Sequence, residues 1–454
     1  MLGSGGVGLG FRPELAADLL RSPEVVDFVE VVAESCFVQP AARREAQALA
    51  QIWPVVPHGV KLSLGSAEGI DLERARALGA LARTLRAPVI SEHVAFVRSG
   101  DREIGHLTAV PCTRAALDVV VRNVAQARRS LPDVPLLLEN VAWSFAWPDS
   151  EMHEGEFYSE VARRTGCPLL LDVSNAYANA VNSGQEPWEA LQRFPLDRVG
   201  MIHLAGGVWE HGFYFDDHAH AVPEPVFAAL DQVLAVTGHI PILIERDASF
   251  PAFAELAREV ARCREAQRWL KSTHREPRAP APVDPPDEAQ RAALEQAEAA
   301  VARYLTDIDE PPPEAVARFG AEALARSRAI LKRKRVDEAL PLLGSLSRRK
   351  PELEPLAHAV VACTPRVPRL CAISDAWHIA ERALSLPSLA DDARRDCLIF
   401  RSRFTRDPST LQLQPRRAPF VGRETLEDGS RVWAMKGPGS RSRVRTLERN
   451  RARP

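Results

Sequence analysis

The stretch Pro168-Leu-Leu-Leu-Asp-Val-Ser-Asn175 constrains this chain more than any other. Its apolar run has no internal period, the signature of a strand buried on both faces. It stops at a carboxylate, Asp172, and a carboxamide follows at Asn175. Polar groups of that kind are costly at the end of a buried strand unless something binds them. The arrangement recurs. Strand-like runs at 6–10, 25–32, 53–58, 88–93, 134–140, 168–173, 199–204 and 240–246 alternate with stretches of helical spacing at 13–20, 39–51, 72–85, 114–129, 156–165, 224–236 and 253–270. Eight strands with intervening helices over roughly 270 residues predict an α/β fold, a (β/α)8 TIM-type barrel. A doubly wound sheet is the competing arrangement, but the glycine-rich GVGLGF lacks the GxGxxG spacing of a nucleotide fold.

At 454 residues the chain exceeds one ordinary domain. Composition shifts at His274-Arg-Glu-Pro-Arg-Ala-Pro-Ala-Pro-Val-Asp-Pro-Pro-Asp287, whose prolines favour an extended spacer. The expected organisation is a barrel over 1–272, a linker over 273–287, a smaller, mostly helical α+β domain over 288–436 and a disordered basic tail over 437–454. In the smaller domain, helices are expected at 288–305, 313–332, 338–346 and 372–384, and short strands at 412–421 and 430–436. A net charge of −2 excludes a whole-molecule electrostatic grip on nucleic acid. No apolar run is long enough to span a bilayer, so no membrane partner is expected. The N-terminus lacks the charged region and cleavage pattern of a signal peptide. Seven scattered cysteines form no CxxC pair, which excludes a thiolate zinc site and a disulfide framework and makes the cytoplasm the expected compartment.

The last polar residues of the strands are His58, His93, Glu139 with Asn140, Asp172 with Asn175, His203, and Glu245 with Asp247. Asp216 and His218 sit in Phe215-Asp-Asp-His-Ala-His220 after the seventh strand. In a barrel these side chains meet at the carboxyl-end mouth, where active sites of this architecture lie. One such histidine alone is usually an ordinary core or loop residue. A succession of strands that all end this way points to metal. Imidazole and carboxylate without thiolate suit Fe, Mn, Zn or Co. The set is too large for one ion, and Glu139, central in chain order, is a natural bridge between two or three. Glu30 and Glu34 read either as carboxylates that orient ligands or as ordinary helix-start and surface charges. His220 is intermediate, placed to line the mouth. Neither a GxSxG elbow nor an HExxH helix is present.

These residues carry a resemblance. Asp27-Phe-Val-Glu30 with Glu34, His58-Gly-Val-Lys-Leu-Ser-Leu-Gly-Ser66, Ser91-Glu-His93, Leu-Leu-Leu-Glu139-Asn140, Arg164-Thr-Gly-Cys-Pro-Leu-Leu-Leu-Asp172-Val-Ser-Asn175-Ala-Tyr177, Ile202-His-Leu-Ala-Gly206, Asp216-x-His218 and Leu243-Ile-Glu245-Arg-Asp247 resemble the DUF692 family. These are the multinuclear non-heme iron-dependent oxidative enzymes that include the methanobactin-biosynthesis oxygenase. The resemblance implies two or three irons, Fe(II)/Fe(III), with O2 as cosubstrate. His58, His93 and Glu139 would hold one ion. Glu139, Asp172, His203 and Glu245 would hold a second, with Glu139, Asp172 and His203 as the catalytic core. Asn175, Asp216 and His218 would hold a third. The substrate would be a cysteine or neighbouring residue of a ribosomally made precursor peptide. The second domain, around Ala325-Arg-Ser-Arg-Ala-Ile-Leu-Lys-Arg-Lys-Arg335, resembles the partner proteins of such enzymes, here fused in cis to recruit the peptide. Ser35, Ser174, Ser183 and Gly207 depart from the family pattern and bear on the third ion and the substrate pocket. Two other readings compete: a zinc- or manganese-dependent hydrolase or isomerase of the endonuclease IV/xylose isomerase type, and a non-catalytic binding scaffold.

Overall fold

The structure, a computed structural model, describes residues 2, 5–100, 102–268, 270, 287–306, 314–366, 370–407, 412–439 and 443–449. The expected linker falls almost wholly outside the described residues. Contacts divide the chain into two compact units, one of 1–97 with 107–298 and one of 98–106 with 299–454. The division falls inside the helix Glu288–Thr306, and Arg98–His106 joins the second unit.

The first unit is a closed barrel of parallel strands. They are β1 (Val7–Gly10), β2 (Phe28–Val32), β3 (Val55–Gly59), β4 (Ile90–His93), β5 (Leu136–Glu139), β6 (Leu169–Asp172), β7 (Val199–Leu204) and β8 (Ile242–Ile244), and β8 pairs back onto β1. Helices cover them, which is why the strands read as unbroken apolar runs. Helix ends follow local chemistry. Asp71 caps Leu72–Leu85 by accepting from the amides of Glu73 and Arg74 at 2.9 and 3.2 Å. Glu154–Thr165 stops at Gly166, whose φ of 68° is left-handed.

Side chains alternate across a strand, so residues two apart share a face. The barrel floor is a cluster of Phe28, Val56, Leu137, Leu170, Met201 and Leu243. Two residues further along each of those strands stand Glu30, His58, Glu139, Asp172, His203 and Glu245. An apolar layer is thus capped by a polar one, built by the same six strands.

Two hairpins follow strand ends, Ala95–Ser99 with Arg102–Ala109 and Gly207–Glu210 with Phe213–Asp216. Neither was expected from the apolar pattern, because both lie in stretches of mixed polarity between strand and helix.

The second unit has a helical core formed by the ends of Ala321–Ala339, Lys350–Cys363, Cys371–Ala383 and Ala390–Arg403, with Trp377 stacked on Phe400. A three-stranded antiparallel sheet, Phe420–Thr425, Arg431–Lys436 and Val444–Arg449, packs on Leu398 through Val432 and Ala434. Several expectations need correction here. The helix expected over 313–332 is broken at Gly320, whose φ is 85°. That expected over 338–346 is two 3-10 turns, because Pro341 lacks an amide hydrogen and Gly344 weakens continuation. Lys350–Cys363 and Ala390–Arg403 were not anticipated. The tail expected to be disordered contains the strand Val444–Arg449, whose charge looks disordered in isolation. Backbone pairing with Arg431–Lys436 and contact of Val444 with the core order it. No described helix is long and apolar enough to cross a membrane.

Candidate metal centre

Seven of the eight strands, all but β1, bring a polar side chain to the mouth at or near their ends. His93 Nδ1 lies 3.2 Å from the Gly59 carbonyl. A carbonyl only accepts, so Nδ1 carries the proton and Nε2 presents a lone pair. His58 Nδ1 engages the Ser91 hydroxyl at 2.8 Å, which also leaves Nε2 turned to the mouth. Both Nε2 atoms face one oxygen of Glu139: Oε2 is 3.5 Å from His58 and 3.3 Å from His93. The other oxygen, Oε1, lies 3.2 Å from His203 Nδ1, which Glu245 approaches at 3.7 Å. Glu139 therefore faces two ligand groups with two different atoms. Glu30 stands 3.2 Å from the far nitrogen of His203. His218 lies between Asp216, at 3.2 Å, and Glu245, at 3.1 Å.

Four sets of atoms lie within 4.8 Å of one another: His58/His93/Glu139, Glu30/His203/Glu245, Glu139/Asp172/His203 and Asp172/His218/Glu245. Ligands ~2.1 Å from a shared tetrahedral ion are ~3.4 Å apart, close to the spacings observed. The fit is also visible in what is left unbonded. Glu30 Oε2, Glu139 Oε2, Asp172 Oδ2, Asp216 Oδ1 and both nitrogens of His203 are buried with no hydrogen-bond partner among the described residues. Other buried polar atoms elsewhere in the described residues also have no hydrogen-bond partner, but these six belong to residues grouped at the mouth. The residues present fit metal ions.

Burial pushes the His58 imidazole down to about 3, opposed by Glu139, so it is a neutral ligand near neutrality. Burial pushes Glu30 up to about 7, opposed by His203. Burial, then Asp216 and Glu139, raise Asp172 well above the carboxylate range. Glu139 is held at about 2 against burial, because His93, His203 and His58 surround it.

Around the cluster, Asn140 clamps two strands: its amide donates to the Asp172 carbonyl and accepts from the Asp172 amide, both at 2.9 Å. Asp172 Oδ1 also caps the helix Val173–Asn182 by accepting from Asn175 at 2.8 Å, leaving Oδ2 for the mouth. Asn175 donates its side-chain amide to the Asn140 carbonyl at 3.0 Å. Glu34, in the helix Ala33–Val38 after β2, reaches the loop after β3, where its Oε1 accepts from the amides of Val60 and Lys61. Asp247 is partly exposed and bonded to Arg12. His220 is not brought to the mouth; its ring is half-exposed on Asp217. His218 adopts a left-handed φ of 55°, an unusual conformation for a residue with a Cβ and one that clusters at functional sites.

The departures noted in the sequence take definite places. Ser174 is spent on both backbone groups of Ala205, at 2.7 and 3.0 Å. Ser183 bonds back to Asn179. A Cβ at Gly207 would meet the Phe215 carbonyl at 2.3 Å, so this hairpin admits no side chain there. One buried carboxylate beside the mouth escaped sequence reasoning. Glu92 faces away from the mouth, accepts from Leu62 and His93, and is raised well above its usual range by burial and by Glu34. Its position beside His93 in a short strand was the available signal.

A family model described as RiPP precursor modification enzyme MbnB/TglH/ChrH matches residues 6–268. A UPF0276 protein of Streptomyces avermitilis is 42% identical over 270 residues, 58% of this chain and 55% of that protein. One of Chromobacterium violaceum is 36% identical over 255 residues, 56% of this chain and 92% of that protein. The chain thus spans about half the length of the first and most of the second. Among solved structures, endonuclease IV from Thermus thermophilus aligns over 57% of this chain and 99% of its own, at 19% identity and a TM-score of 0.39. A xylose isomerase domain protein from Alicyclobacillus acidocaldarius aligns over 57% and 98%, at 15% identity and a TM-score of 0.40.

Proposed function

The chain belongs to the MbnB/TglH/ChrH family of RiPP precursor modification enzymes, and from that premise we propose an iron- and O2-dependent oxidation of cysteine, or a residue beside it, in a ribosomally made precursor peptide. The observation that carries this reading is the convergence of unbonded lone pairs from Glu139, Asp172 and His203 with His58, His93 and Glu245 nearby. Two or more iron ions bridged by a carboxylate would supply an open coordination position for thiolate and O2 and the electrons to reduce O2.

The chain's own groups have distinct tasks in this reading. Glu139 spans the two ligand groups with its two oxygens. The Gly59 carbonyl and the Ser91 hydroxyl set the ring orientation of His93 and His58. Glu30 stands 3.2 Å from the far nitrogen of His203, on the side away from Glu139, and is a further carboxylate available to the centre. Asn140 fixes the height of Asp172 relative to Glu139. Asp216 and His218, on and just after a hairpin, close one side of the mouth and complete a more loosely enclosed third set with Asp172 and Glu245. The second unit holds the remainder of the peptide. All seven cysteines are free, in keeping with a reducing compartment in which a substrate thiol persists.

Elemental analysis of the purified full chain tests the metal, and anaerobic against aerobic incubation with cysteine-bearing peptides encoded beside it tests the reaction. The expected result is bound iron and an oxygen-dependent mass change. Absence of iron together with no oxygen-dependent product would defeat the reading. Zinc with hydrolysis would replace it by the metallohydrolase alternative.

A further inference from the structure

A cavity of about 260 Å3 lies beside the metal cluster in the first unit. Three of its lining residues, Val94, Val141 and Ala176, directly follow His93, Asn140 and Asn175. A fourth, Tyr158, donates its hydroxyl to the Glu139 carbonyl at 3.2 Å. The cavity therefore begins beside His93 and within two residues of Glu139 in the chain. Its volume is that of a side chain rather than of a drug-sized molecule.

The walls are aromatic: Trp143, Phe145, Trp147, Phe157 and Phe194 line it with Tyr158. Against these walls stands one carboxylate, Glu154. Its two oxygens share a single donor, the Asn179 side-chain amide, at 3.2 Å each. That amide also donates to the Val141 carbonyl at 3.0 Å, so little of it is left for Glu154. Among the described residues no lysine or arginine lines the cavity. The one imidazole present, His153, is committed elsewhere: Nδ1 accepts from Gly155 and Nε2 bonds Gln185 at 3.0 Å. A carboxylate among aromatic rings without a counter-charge is costly, and an apolar occupant would leave that cost unrelieved. A cation relieves it, and ring faces attract a cation as well.

We propose that this cavity binds the positively charged side chain of an arginine or lysine of the substrate peptide, with the charged head on Glu154 and the aliphatic stem between the aromatic walls. This rests on the peptide-modifying reading above and adds a sequence requirement to it: a basic residue near the one that is modified. Burial raises the Glu154 carboxyl to about 7, opposed by Asn179, which is the condition of a group lacking its partner. The Cys112 thiol, raised by burial, is a neutral part of the wall.

The test needs no turnover. N-butylguanidinium and its neutral isostere N-butylurea are titrated into the metal-loaded full chain, followed by calorimetry and by the fluorescence of Trp143 and Trp147. The guanidinium is expected to bind at least tenfold more tightly than the urea. Glu154→Gln is expected to erase that preference while leaving the metal content unchanged. Equal binding of the two probes by the unaltered protein would overturn the proposal even if the variant failed to fold, as would a preference that survives Glu154→Gln. With a modified peptide in hand, replacing the nearby basic residue by norleucine is expected to raise KM at least tenfold with kcat changed less than twofold. Peptide turnover without guanidinium binding would reject the cavity and leave the proposed function standing. Guanidinium binding with no peptide modified would reject the peptide as the source of the cation.

Discussion

Two of the places where the protein buries charge do so on opposite terms. In the second unit Arg335 meets Asp375 in a two-pronged pair at 2.9 and 2.7 Å, and a further nitrogen reaches the Val361 carbonyl at 3.3 Å. In that pair each charge has its partner. At the barrel mouth Glu30, Glu139, Asp172, Asp216 and Glu245 crowd around imidazoles, and no lysine or arginine hydrogen-bonds any of these five carboxylates among the described residues. The first arrangement is closed and holds helices together. The second leaves buried lone pairs unbonded, a condition that a metal ion would relieve. Burial alone does not separate structure from function; the balance of partners does.

Four substitutions probe that contrast. The largest effect is expected at Glu139→Ala, which removes the oxygens facing three imidazoles and should lose at least one bound ion per chain by elemental analysis. Full metal content in that variant would remove the bridging role. Next, Asp375→Ala strands a buried guanidinium and should lower unfolding free energy by ~3–5 kcal/mol, whereas replacing Arg335 and Asp375 together by methionine and leucine should restore most of it. Urea unfolding reads both. Smaller is Asn140→Ala, which leaves the Asp172 backbone groups unpaired. It should cost ~1–3 kcal/mol and weaken metal binding ~10–100-fold.

The smallest effect has the opposite sign. In metal-free protein the folded-state pKa of Asp172 lies well above its unfolded value of ~3.9. A raised carboxyl loses stability as pH climbs from the unfolded pKa toward the folded one. Asp172→Asn keeps a good helix cap and removes that loss. The metal-free variant should therefore be more stable near pH 7, on the order of 1 kcal/mol, with the gain vanishing below about pH 4. Thermal unfolding in chelator across pH checks it, and a loss of stability at pH 7 would mean that Asp172 belongs with Asp375.

The barrel is legible in the sequence because its strands are buried on both faces and end in groups that apolar surroundings do not tolerate. His58, Glu139, Asp172 and His203 stand out for that reason. Glu30 is harder to weigh, since Val-Glu-Val also reads as an ordinary half-exposed strand; only its place two residues beyond Phe28 marks it as inward. Glu92 is obscured because it faces the helical layer beside a more conspicuous histidine. The elements around Gly320 and Pro341 were misjudged because apolar spacing persists through residues that break a helix. The strand Val444–Arg449 was missed because its order comes from a neighbouring strand, which no local pattern encodes. His220 shares the polarity of the ligands but lies on the far side of a turn, a distinction only three dimensions supply.

The two-residue step from floor to mouth leaves the chain unequal freedom to change. Loops after the strands can lengthen, as the two hairpins have done, without disturbing the side chains that precede them. A single residue gained between Leu170 and Asp172, or lost between Met201 and His203, would turn either the last side chain or its floor residue toward the helices. Descendants of this protein can therefore vary what they admit far more easily than where the chemistry sits.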